Sequence, residues 1–144
     1  AGPEAERFNV WFDDKDYKGS HAGHISNVNV SPKSVSITDA KTGNMENEIY
    51  EKKKSPAGLD AETTEMLKTK TAAFPVELDR EEWHELRIFT SGDTIRVKID
   101  GEEVGSFASE GNAHETKSVV SFSTYANDVH YDDVIIKAAP VAAE

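Results

Sequence analysis

No cysteine occurs in the sequence, so no disulfide can staple the fold and no thiolate can serve as nucleophile or soft-metal ligand. That absence leaves the compartment open, because exported bacterial domains often lack cysteine too. Positive charge is also scarce. Sixteen Lys and Arg face 27 Asp and Glu, for a net charge of −11. Such a surface repels nucleic acid and anionic membrane, and the largest basic run, Lys52-Lys53-Lys54, does not offset it. No nucleic-acid partner is expected. No apolar run approaches the ~20 residues that cross a bilayer, so no direct membrane insertion is expected either. The zinc spacings His-x-x-x-His and His-Glu-x-x-His are missing, as are a Gly-rich phosphate loop and a Gly-x-Ser-x-Gly elbow. These gaps argue against zinc, nucleotide and serine-hydrolase chemistry. The chain opens Ala1-Gly2-Pro3 with no initiator Met, basic n-region or apolar h-region. That beginning fits a processed, exported protein, periplasmic or extracellular, or a piece excised from a longer one.

What is present is mostly strand. The 144 residues suit one domain, 1–144, with tails at 1–6 and 138–144. "RFNVWFD" alternates Phe8, Val10 and Phe12 with Asn9, Trp11 and Asp13, which predicts a strand with a dry side and a wet side. "HISNVNV" and "SVSITD" are β-rich runs split by a turn at Ser31-Pro32-Lys33, with Val35 and Ile37 facing in. "NEIYE" also reads as strand. "AETTEMLKTKTAAF", with Asp60 as N-cap, early acids and late lysines, predicts one short helix near 60–72. Strands are expected again at "FPVEL", "WHELRIFTS", "DTIRVKID", "EEVGSFAS", "SVVSFST" and "DVHYDDVIIKA", with Asp100-Gly101 as a type I′ hairpin signal. In the meander from Trp83 to Phe107, Leu86, Ile88, Ile95, Val97 and Ile99 should face the core, and Arg87, Arg96 and Lys98 should face out. About nine short strands and one helix predict an all-β, antiparallel β-sandwich.

Several of these segments resemble a known family. Gly19–Ile25 ("GSHAGHI"), "SVSI" with "DAKTG", "WHEL" with "IDG" and "VGSF", "SEGNAHETK" and Val129–Ala138 ("VHYDDVIIKA") look like the concanavalin A-like lectin/glucanase sandwich. More narrowly they are similar to the 3-keto-disaccharide hydrolase domain, a family-16 glycoside hydrolase-like domain abundant in secreted proteins of planctomycetes and their relatives. The similarity runs from Phe8 to Ala138, and the chain looks shortened at its amino end relative to that family. It implies a jelly-roll sandwich of carbohydrate-related ancestry. The Glu-x-Asp-x-x-Glu signature of true family-16 glucanases is absent, so the resemblance does not carry catalysis over.

Catalytic candidates are Glu46, Glu48 and Glu51 of "MENEIYE", since glycoside hydrolysis requires two carboxylates set about 5 to 9.5 Å apart. In a strand, Glu46 and Glu48 would share a face and Glu51 would point away. Against this, so acidic a chain places glutamates at such spacings by chance, and a solvated edge is the ordinary reading. Trp11 is a large aromatic on the wet side of a strand, which suits stacking on a pyranose ring. The plainer alternative is that a loop covers it. Trp83 reads as core. His21, His24 and His114 fall in loops where they could meet a ligand together; singly, each is better read as a surface or hydrogen-bonded histidine. Arg87 and Arg96 could hold a sugar or an acid, or be a solvated charged face. Asp132-Asp133, joined by Asp13 if the first and last strands are neighbours, would suit a structural calcium ion. Because 6–8 ligands are needed, one Asp pair is not a site. The sequence therefore points to a non-catalytic, exported sandwich that recognises carbohydrate or a protein partner. Behind it stand an accessory subunit of a larger extracytoplasmic assembly, and then a glycoside or 3-keto-glycoside hydrolase.

Overall fold

The computed structural model describes residues 6–125 and 128–138. Among these residues eight strands form two antiparallel sheets: β1 (Arg7–Asp13), β2 (His24–Val30), β3 (Ser34–Asp39), β4 (Thr71–Pro75), β5 (Leu86–Ser91), β6 (Thr94–Ile99), β7 (Glu102–Ala108) and β8 (Val119–Tyr125). The larger sheet has the order β4-β3-β2-β1-β8 and the smaller β5-β6-β7. The predicted all-β sandwich is what the chain builds. The tails assigned to 1–6 and 138–144 lie, apart from Glu6 and Ala138, outside the described residues.

Alternation decides which side of each strand is dry. Val28, Val30, Val35 and Ile37 of the large sheet meet Ile95, Val97 and Ile99 of the small one, all nearly or wholly buried. Each such side chain contributes about 1.5–3 kcal/mol on burial. Leu86 and Ile88 pack against the same cluster, so the core face of the meander is as its pattern predicts. Gly105 of β7 lets Phe74 of β4 approach, since a Cβ there would run into the Phe74 ring. Gly105→Ala should therefore lower stability by about 1–3 kcal/mol in urea unfolding, and Phe74→Leu beside it should recover part of the loss.

Four expectations are corrected. "NEIYE" is not a strand: it opens α1 (Asn47–Lys54), because the Glu46 carboxylate caps the Ile49 amide at 3.1 Å and the three lysines meet the carboxyl end of the helix. Only Ile49 of α1 is buried, and five residues of alternation were too few to separate a half-buried helical turn from a strand. The expected helix is α2 (Ala61–Lys68), capped by Asp60, but it stops early. Residues from Thr71 onward leave it to pair with β3, Thr71 opposite Thr38. Trp83 is not core; it is 69% exposed, in the loop ahead of β5.

The last expected strand, in "DVHYDDVIIKA", is unpaired over 128–138. Tyr131 still packs on Phe8 and Phe122, ring centroids 5.7 and 5.0 Å away, and its hydroxyl lies 3.1 Å from the Thr124 hydroxyl. Beyond it Asp133 adopts φ +50°, a left-handed conformation that breaks an extended run. Val134, Ile135 and Ile136 are consequently exposed, and among the described residues β5 pairs with β6 alone.

His84 closes the β5–β6 end. Its Nδ1 lies 2.7 Å from an Asp100 carboxylate oxygen, and its Nε2 lies 2.8 Å from the Asp79 carbonyl. The Asp100 hydrogen bond raises the imidazole above its ordinary range, and the same contact holds Asp100 below the usual carboxylate range. A raised folded-state His adds stability that is present below its unfolded value, about 6.5, and is lost as pH rises through the folded value. The depressed Asp100 adds stability that is lost as pH falls below about 4. Urea midpoints should show the gap between wild type and His84→Ala narrowing from pH 6 to pH 9.

Candidate functional site

The outer face of the large sheet is polar by alternation, and register sets its residues side by side. Trp11 of β1 stands opposite Asn27 of β2 and Ser121 of β8. The next row is Asn29, Asn9 and Ser123, in which the Asn29 amide donates to the Asn9 carbonyl oxygen at 2.7 Å. Asn9 and Asn27 are buried though they face outward, and Trp11 is half-buried. The Asn27 amide nitrogen and the Ser123 hydroxyl are both buried without a hydrogen-bond partner. A buried polar group left unpaired costs about 1–3 kcal/mol, and two such groups lie beside the half-buried Trp11 ring.

At the end of β1 the register slips between Phe12 and Asp13, and Asp13 pairs with His24. The bulge turns the two consecutive aspartates to different histidines. Asp13 meets His24 Nδ1 at 2.7 Å, and Asp14 meets His114 Nε2 at 2.8 Å. The His114 contact and the Asp16 amide hold Asp14 below its usual range. His24 also lies 4.2 Å from the Trp11 ring, centroid to centroid, which fixes the indole. His21 is 6.1 Å from His24 and stacks on Tyr50 of α1 at 3.8 Å and 9°. His114 instead contacts Tyr17, at 4.9 Å edge-on. His21 and His24 thus come together with Trp11, whereas His114 serves the neighbouring Asp14 pair and lines a separate open depression of about 440 Å³ with Lys41, Glu110 and Thr116.

The remaining candidates do not join this site. Arg87 and Arg96 lie on the outer face of the small sheet, alternating with its core residues; Arg87 donates to Glu85 at 2.8 Å, and Arg96 pairs with Glu103 and covers the Phe89 ring. They are a self-neutralised surface. Glu46 is spent on capping α1, Glu48 lies in its first turn and Glu51 pairs with Lys54 at 3.0 Å. No paired carboxylate for glycoside cleavage results. Asp13 turns to His24, while Asp132 accepts the Asp133 amide at 2.8 Å. Among the described residues, no three His, Asp or Glu side chains converge to hold a metal ion. The Asp13, Asp132 and Asp133 carboxylates do not converge on one point. A second open depression, of about 490 Å³, lies between Trp83 and residues 128–132.

Sequence reasoning missed the asparagine and serine rows. "NVNV" and "SFS" showed their polar positions, but only the strand order places them around Trp11. It also missed Asp39, a wholly buried carboxylate at the same end of the sandwich. Its burial would raise its pKa, but the Ser109 and Thr42 hydroxyls and the Thr42 and Gly111 amides outweigh that and hold it below the usual range. No protein-family model, curated protein or solved structure matches this chain.

Proposed function

We propose that this domain binds carbohydrate on the outer face of its large sheet, with Trp11 as the stacking platform and the Asn27 amide and Ser123 hydroxyl as hydrogen-bonding groups. The observation that carries the reading is the pairing of an aromatic ring with two buried, unpartnered polar groups on one face. Sugar rings present apolar CH faces to indole and hydroxyls to amides, so both deficits are met by one ligand. The arrangement binds and orients; it contains no acid pair, and the proposed role is non-catalytic. A carbohydrate ligand suits an exported domain, the location proposed here.

Retardation in native gels containing soluble polysaccharides tests this. Wild type should be retarded by at least one glycan, and Asn27→Leu should weaken that binding while leaving the unliganded protein equally or more stable to urea. A polar group kept for a ligand produces that opposition; Asn27→Leu that loses stability and keeps full binding would sink the assignment.

A protein-interaction role is the second reading. It is favoured by the exposed Val134, Ile135 and Ile136, an apolar stretch of the kind that covers a partner's surface. As an accessory subunit the protein would elute with a partner at native concentration; Val134→Asp with Ile136→Asp should leave glycan binding intact while abolishing that co-elution.

A further inference from the structure

The aromatic line that begins at Trp11 runs off the sheet through His24 and His21 to Tyr50. Tyr50 belongs to α1, and two ammonium groups lie over its ring: Lys54 Nζ at 4.7 Å and Lys53 Nζ at 5.3 Å from the centroid. With Lys52 these form the densest basic run in a chain of net charge −11. Lysines at a helix carboxyl end are ordinarily explained by the dipole. That accounts for their position along α1, and the i+3 and i+4 spacing from Tyr50 brings Lys53 and Lys54 over the ring that stacks on His21.

The two amines are not equally satisfied. Lys54 pairs with Glu51 at 3.0 Å. Lys53 forms no ion pair with any described carboxylate, although the chain carries 27 acids. Burial also pushes the Lys53 amine below the usual lysine range. Lys53 as a whole is exposed, so an ammonium without a counter-ion stands at the surface where an arriving anion can pair with it. The net charge of −11 repels such an anion over much of the surface, so the basic run on α1 is where selectivity for it is placed.

Resting on the carbohydrate reading above, we infer that the ligand is an acidic polysaccharide, carrying carboxylate or sulfate, whose sugars stack at Trp11 and whose anionic group is held by Lys53 and Lys54 at the Tyr50 end of the line. His21 and Tyr50 position the clamp; Trp11 supplies the platform. Two point charges at a surface give a moderate, salt-sensitive gain, enough to choose between acidic and neutral glycans without binding polyanions indiscriminately.

The test uses native gels cast with alginate, polygalacturonate, chondroitin sulfate or neutral xylan, at low and at physiological salt. Wild type should be retarded by at least one acidic glycan more than by xylan. Lys53→Ala with Lys54→Ala should weaken that retardation about tenfold, roughly 1.4 kcal/mol, and Lys53→Arg with Lys54→Arg should largely restore it. Carboxylate and sulfate sources are separated by which acidic gel retards best. Trp11→Ala should lose acidic and neutral binding alike. If the double alanine variant binds the acidic glycans as wild type does, or wild type prefers xylan, the clamp is wrong while the Trp11 platform stands. If no glycan retards wild type, the carbohydrate reading itself falls. Lysine dependence without Trp11 dependence would mean adsorption by charge alone and would overturn both.

Discussion

Replacing Trp11 with alanine should reduce polysaccharide binding by tenfold or more, to the point where native-gel mobility no longer responds to the glycan, while the fold persists. Losing a stacking platform removes about 1.5–3 kcal/mol of apolar contact, and 1.4 kcal/mol is already a factor of ten. The fold should survive because Trp11 faces away from the seven-residue core cluster that joins the two sheets. Trp11→Phe should keep part of the affinity, since an aromatic face remains. His24→Ala is a sharper probe. His24 lies 4.2 Å from the indole and is itself held by Asp13 at 2.7 Å, so its loss frees the ring without removing it. Affinity should fall less than for Trp11→Ala, and the tryptophan fluorescence of the free protein should report a wetter indole. Glycan retardation of Trp11→Ala equal to that of wild type would remove the platform from the proposed function.

The architecture was legible because alternation is a strong signal wherever one side of a strand is dry. β1, β3 and β6 could each be read from a handful of residues: Phe8, Val10 and Phe12, then Val35 and Ile37, then Ile95, Val97 and Ile99. Alternation failed where burial was thin. α1 buries only Ile49, so its five-residue pattern held no period, and the outcome rested on a cap at Glu46. In "VHYDDVIIKA" the pattern promised a strand, but Tyr131 anchors to Phe8 and Phe122, and Asp133 then bends the chain.

The site was legible only by halves. Trp11 could be singled out because a large aromatic on a wet side is anomalous within one strand. Its partners could not, because Asn27 and Ser121 flank it only once the strand order is β2-β1-β8. Strand order is a long-range property that no local period encodes. The same limit hid the link between residues 39 and 111. Segments that looked merely motif-like in the sequence, "DAKTG" and "SEGNAH", meet across the end of the sandwich.

That meeting point should dominate stability: Asp39→Ala should destabilise the domain by about 3–5 kcal/mol, a large share of the 5–15 kcal/mol typical of a domain. The Asp39 carboxylate is wholly buried and accepts from the Thr42 amide at 3.0 Å, the Thr42 hydroxyl at 2.5 Å, the Ser109 hydroxyl at 2.5 Å and the Gly111 amide at 2.9 Å. Removing it leaves these donors facing a void, and the Ser109 and Gly111 donors belong to the turn that follows β7 in the other sheet. Neighbouring Ser26 donates to Asn112 at 2.7 Å and Lys70 pairs with Glu110 at 3.1 Å, so the turn would keep these ties while losing the one through Asp39. Thermal unfolding should fall by about 10 °C or more, whereas Thr42→Ala, which removes one hydroxyl donor and spares the rest, should cost about 1 kcal/mol. Gly111→Ala should approach the Asp39 effect, because a Cβ there would collide with the carboxylate. The pH dependence has a definite sign. A carboxylate held below its usual range adds stability that is present above the unfolded value, about 3.9, and is lost as pH falls through the folded value. Asp39→Asn, which cannot ionise, should therefore lose most against wild type near pH 7 and progressively less toward pH 3. A wild-type-to-asparagine gap that stays constant from pH 7 to pH 3 would show that the charge on Asp39 is not what holds the two sheets together at this end.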